Sequence, residues 1–181
     1  SDDVRLPPLV LGGGQEGGVR SGTENVAGII GFARALEMVQ ARQKDEARRL
    51  SRLRDLLQRL LVKEFPQMVV SGPKNAKLRL PSLLHVSFPE IEARRLVILL
   101  EREGVSVGTG SACAASKMHI SHVLEAIGAP REVAAGSLRL TLGHSTTEAD
   151  ILYAAEAIIR AVHAEQDRMR NARLSYGDIN G

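Results

Sequence analysis

The sequence of 181 residues has no tryptophan, a single cysteine, and only three phenylalanines and two tyrosines. With so few aromatics it cannot build the stacking platforms that hold single-stranded nucleic acid. Its net charge of +3 is too small to call for a nucleic-acid partner. One thiol, Cys113, excludes an internal disulfide framework and any multi-cysteine zinc site. No apolar run approaches the ~20 residues of a membrane span, and no signal peptide opens the chain. No Gly-Lys-Ser/Thr phosphate loop and no serine nucleophile elbow occur. There is also no initiator methionine: the chain opens Ser-Asp-Asp, which reads as a processed product or a piece of something longer. The lone thiol favours a reducing, cytoplasmic setting.

What is present is enough apolar residue, 44% of the chain, for a packed core. Val10–Thr23 is too glycine-rich for a regular element and reads as a loop. Ser21 and Glu24 have capping-box spacing, which predicts a helix from near Thr23. Ile29, Phe32, Ala33, Leu36 and Val39 begin an apolar stripe that Leu50, Leu53, Leu57 and Leu60 resume. The polar stretch between them suits a helix that crosses from one packed body to another, or a break near Gln43. Phe65-Pro66 ends it.

Leu84, Val86 and Phe88 alternate with His85 and Ser87, as in a half-buried strand. Glu92–Glu103 reads as a helix, Val105–Gly108 as a strand and Ser121–Ile127 as a short helix closed by Gly128. In Ser137–Leu142, Leu138, Leu140 and Leu142 face one way, and Ser137, Arg139 and Thr141 the other. A last helix is capped around Ser145–Thr147 and buries Ile151, Ala155, Ile158, Ile159 and Val162; Asn171–Gly181 reads as a frayed tail. The pattern is an α+β one, helices on a small sheet.

Three places could carry chemistry. Cys113 lies in the small, polar run Gly108–Ser116, with Lys117, His119 and His122 following; nearby cations raise the thiolate fraction. A plain structural cysteine is equally compatible with that spacing. Arg139 can present a planar fork to a carboxylate, or can simply face solvent. Arg20-Ser21-Gly22-Thr23, at a helix start, suits a phosphate or only a cap. His119 and His122 lack the further ligands of a metal site, so no metal is expected.

Taken together, GGGQEGGVRSGTENVAGIIG, HVSFP, GTGSACAASKMHISHVLEAIG and GSLRLTLGHSTTEADI resemble the C-terminal part of cysteine desulfurases of the NifS/IscS type. These are pyridoxal-phosphate enzymes of the class V aminotransferase group. The resemblance implies the small domain of a fold-type I transferase, α+β (α/β), with helices on a small, mostly antiparallel sheet and a long N-terminal linking helix. Residues 1–25 would be a remnant of the large cofactor domain, 26–62 the linking helix, 63–170 the small domain and 171–181 a tail. It further implies that Cys113 is the nucleophile that takes sulfur from L-cysteine as a persulfide, leaving L-alanine. Arg139 would bind the substrate carboxylate, and Thr23 the cofactor phosphate in the partner subunit's site of a homodimer. A sulfur-acceptor or scaffold protein, and iron–sulfur cluster assembly, would follow.

The sequence departs from the family's pattern in places. Gly17 stands where Arg is usual, His85 where Asn is usual, His144 where Arg is usual and Ile120 where Pro is usual. The lysine that holds the cofactor covalently is also missing, since no lysine precedes Lys44. The isolated chain is therefore expected to be inactive. A non-catalytic sulfur-acceptor or partner-binding module is one alternative; a selenocysteine lyase or other class V aminotransferase is another.

Overall fold

A computed structural model describes residues 7–75, 78–109 and 121–177. Cys113, Lys117 and His119 lie outside the described residues. The chain divides into two compact units, Ser1–Lys44 and Asp45–Gly181.

In the first unit the glycine-rich segment folds back on itself. Val10 and Arg20 form a parallel bridge, and the Ser21 amide donates to Val10 O at 3.2 Å. Ser21 is buried, and its hydroxyl accepts from the Gly14 amide at 3.3 Å. It is thus committed to closing the loop and does not cap a helix. The cap is Asn25, whose Oδ1 accepts from the Gly28 amide at 3.0 Å. The first helix, α1, accordingly starts at Val26, not Thr23, and runs to Glu64.

There is no break near Gln43. Residues 40–49 contain no glycine or proline, and Asp45–Arg48 and Glu46–Arg49 pair at i,i+3 spacing. The compact division of the chain falls within this helix, between Lys44 and Asp45. The reason is that Leu50, Leu53, Leu57 and Leu61 are buried in the second unit's core. Arg54 is buried in the same stripe. It is satisfied there by Asp55 and by Leu80 O, to which it donates at 2.8 Å.

The second unit holds a three-stranded antiparallel sheet in the order β1 (Val69–Val70), β2 (Leu83–Ser87), β3 (Ser137–Thr141). Leu84, Val86, Leu138 and Leu140 turn one face of it into the core. The helices are α2 (Ala93–Arg102), α3 (His122–Ala126), α4 (Arg131–Ala135) and α5 (Glu148–Gly177). Gly128, at φ 75°, follows α3. The core also takes Leu96 and Leu100 of α2 and Ile151, Ala155, Ile158 and Val162 of α5. At the start of α5, Thr147 Oγ1 accepts from the Asp150 amide at 3.2 Å, and Asp150 Oδ2 accepts from the Thr147 amide at 2.8 Å.

Two further expectations need correction. Val105–Val107 is not a strand: the Gly104 and Val105 amides still bond Glu101 O and Leu100 O, closing α2, and only Gly108 reaches the sheet. Asn171–Gly177 is not a tail but the last part of α5, since no proline or glycine interrupts 149–176. No described helix is long and apolar enough to cross a membrane.

Candidate active site

The polar face of the sheet carries the candidate site. Registering the strands lines up Ser71, His85, Arg139 and Gly108 in one row. His85 pairs with Arg139 across β2 and β3. On the far side of His85 the Ser71 amide donates to His85 O at 3.0 Å. On the far side of Arg139, Gly108 and Arg139 exchange backbone hydrogen bonds of 3.1 and 2.7 Å.

Each member has a distinct physical role. Arg139 is half-buried on the polar face of β3. Gly108 leaves the room it needs: a Cβ there would stand 3.0 Å from Arg139 Nη2 and 3.4 Å from Cζ. His85 Nδ1 lies 3.0 Å from the Ser71 hydroxyl. Burial, and then the positive charge of Arg139, push the His85 pKa below its ordinary value, so the ring is neutral at neutral pH. In the next row Ser87 and Ser137 face each other, both buried, and the Ser87 hydroxyl has no hydrogen-bond partner among the described residues.

This row ends in the segment that leads to the sequence's only cysteine, since Cys113 follows Gly108 along the chain. Arg139, the expected carboxylate fork, lies half-buried in this polar row. The sequence did not mark His85, Ser71 and Gly108 as candidates, although they share the row with Arg139. The signal available was the shared polar parity of His85 with Ser87 and of Ser137 with Arg139; the register that joins them is not written in either segment.

Thr23 belongs to the first unit. Because Asn25 caps α1, the Thr23 side chain is exposed and makes no hydrogen bond among the described residues. Arg20 Nη1 donates to Gly22 O at 3.2 Å and Thr23 O at 3.3 Å, fixing the backbone there. His122 opens α3. Among the described residues no group of His, Cys, Asp or Glu could hold a metal.

A small antiparallel sheet packed under helices is the fold this unit shares with NifS-like pyridoxal-phosphate enzymes. The chain belongs to the aminotransferase class-V family, whose sequence profile matches residues 5–153. Among individual relatives, it is 41% identical over 164 residues to the cysteine desulfurase IscS of Clostridium botulinum, covering 91% of this chain and 41% of that protein. It is 43% identical over 173 residues to cysteine desulfurase IscS 1 of Archaeoglobus fulgidus, covering 96% of this chain and 44% of that one. A solved NifS-like protein superposes with a TM-score of 0.73 at 34% identity, over 90% of this chain and 40% of its own. The chain thus spans about two-fifths of the length of the curated relatives it matches.

Proposed function

We propose that this chain is the part of a pyridoxal-phosphate-dependent cysteine desulfurase that carries the nucleophile and the carboxylate anchor. The observation that carries this reading is the pairing of Arg139 with Gly108, which sets a guanidinium fork in a polar row beside the segment leading to Cys113.

Arg139 binds the carboxylate of L-cysteine through parallel N–H donors, fixing the substrate's orientation. Cys113, as thiolate, attacks the substrate sulfur. A sulfur–sulfur bond forms, the substrate's carbon–sulfur bond breaks, and the carbon left behind takes a proton to become L-alanine. The persulfide on Cys113 then passes its outer sulfur to an acceptor thiol, with iron–sulfur cluster assembly as the destination. When bound, pyridoxal phosphate supplies the electron sink that lets the carbon–sulfur bond break.

The residues present fit the phosphate end of that cofactor. Thr23 offers an exposed hydroxyl that no cap consumes, just ahead of the amides that open α1. In a homodimer, Thr23 would serve the partner subunit's cofactor. The covalent lysine would come from sequence outside these 181 residues, and 1–25, 26–62 and 63–170 would act as cofactor-domain remnant, linking helix and small domain. A reduced Cys113 suits the cytoplasm.

The test is to supply L-cysteine to the complete protein with bound cofactor and measure L-alanine and the mass of Cys113. One alanine and one added sulfur on Cys113 per first turnover are expected, and Cys113→Ala should abolish both. Undiminished turnover by Cys113→Ala would show another class V reaction instead.

A further inference from the structure

Hydrogen bonds fix the kind of rung on which His85 and Arg139 meet. The Leu142 amide donates to Ser82 O and the Phe88 amide to Gly136 O, so the bonded rungs fall at even-numbered positions. The His85–Arg139 rung lies between them and is the narrow, non-bonded kind, where opposed Cβ atoms stand about 4.5–5.5 Å apart. A neutral imidazole and a guanidinium are therefore side by side on one face. Ser71 holds the ring at Nδ1, and among the described residues Nε2 makes no hydrogen bond.

We propose that His85 is a second, proton-coupled contact for the carboxylate that Arg139 grips. The free ring stays neutral beside the guanidinium. A carboxylate arriving at Arg139 offsets the positive charge that opposes protonation, so the ring takes a proton from solvent and donates an N–H to the carboxylate. The proposal rests on Arg139 being the carboxylate anchor. Among the described residues, Arg139 on β3 is the charged group acting on His85. The segment after β1 contributes the Ser71 hydroxyl, Gly108 itself carries no side chain, and β2 contributes Leu83 and Ser87 on the same face.

The sign follows from linkage. Bound carboxylate favours imidazolium, so the ring's pKa is higher in the complex than in the free protein. Substrate binding is then tightest below the free-state pKa. It weakens as pH rises through the complex's pKa, and is level above that. L-Cysteine keeps its amine and thiol protonated across most of this range, so the trend belongs to the protein.

The experiment uses the complete protein with its cofactor. KM for L-cysteine is measured between about pH 5 and 8, the range in which a histidine changes charge, for wild type, His85→Asn and His85→Gln. Wild-type KM should rise about fivefold or more, the lower end of coupling between linked sites. Both variants should show a flat KM near the wild-type high-pH value. In parallel, histidine-labelled protein is titrated by NMR with and without saturating L-alanine as a carboxylate probe. The His85 signal should titrate at higher pH with L-alanine present, and should not respond to it in Arg139→Gln. Superimposable KM profiles for wild type and both variants, or a His85 titration unmoved by bound L-alanine, would overturn the proposal while leaving turnover intact. Failure of the desulfurase reading looks different: wild type makes no alanine at any pH, and this proposal falls with it.

Discussion

Gly108 and Arg139 exchange both backbone hydrogen bonds, and the guanidinium of Arg139 occupies the space a Gly108 side chain would need. The added methyl of Gly108→Ala would press on the far end of a flexible side chain, so the backbone pairing survives. Unfolding stability should change by no more than about 0.5 kcal/mol. The fork itself is displaced, and KM for L-cysteine in the complete protein should rise about tenfold, equivalent to about 1.4 kcal/mol of binding, with kcat little affected. Thermal unfolding and steady-state kinetics check the two halves; an unchanged KM would argue against Arg139 as the anchor.

Gly136 is constrained differently. It ends α4 with φ −92°, which any residue can adopt, so the constraint is space. A Cβ there would lie 2.0 Å from Phe88 O and 2.8 Å from Ile91 O, both backbone atoms that cannot swing aside. The Phe88 amide also bonds Gly136 O at 3.0 Å, tying the end of β2 to the start of β3. Gly136→Ala should cost about 1–3 kcal/mol or more, as overpacking does, seen as a lower urea midpoint at unchanged slope. A midpoint equal to wild type would show that this junction yields more easily than the contact implies.

The elements legible in the sequence are those whose buried face repeats: the leucines of α1 at 50, 53 and 57, the alternation of β2 and β3, and the stripe of α5 from Ile151. β1 has two residues and α4 a single turn, too short for any period to show. Arg54 reads as a surface cation by type and is buried because Asp55 and Leu80 O happen to meet it. Ser21 and Asn25 are both good caps, and only the loop's closure through Gly14 decides between them. Of the candidate site, the place of Arg139 on the polar face was legible because its strand alternates. Its neighbours His85 and Gly108 join it only through strand register, a long-range property that neither segment encodes alone.

Arg49 ties the turn before α5 to α1. It donates to Gly143 O at 3.2 Å and His144 O at 2.9 Å, and pairs with Glu46 at 2.8 Å. The hydrogen bond from Arg49 is the main cause that lowers the Glu46 carboxyl to about 2, against partial desolvation and with help from His144. A carboxyl depressed in the folded state stabilises fully above its unfolded pKa, about 4.3 for Glu, and that contribution disappears as pH falls through the folded pKa. Glu46→Gln should therefore be less stable than wild type at neutral pH, and the gap should close between about pH 5 and 2. Denaturation midpoints across that range measure it, and a gap independent of pH would place the effect in packing instead.

Glu165 of α5 is buried, yet its two cation partners, Arg95 of α2 and Arg168 one turn on, are each about half exposed. Burial pushes its carboxyl pKa up, and hydrogen bonds and charge from Arg168 and Arg95 outweigh that, for a net lowering. The asymmetry of exposure decides what substitution does. Removing one partner of a buried ion pair is usually costly because the other charge stays buried and unpaired. Here both arginines can turn to water. Glu165→Met should thus stay within about 1 kcal/mol of wild type, trading a desolvated carboxylate for apolar packing. Glu165→Gln should be the worse variant, losing about 1–3 kcal/mol: Arg95 and Arg168 both bond Oε1, which glutamine keeps without its charge, and a buried NH2 group takes the place of Oε2. Urea unfolding of both variants at neutral pH ranks them. If Met proves as damaging as Gln, the Arg95–Glu165 pair itself holds α2 to α5.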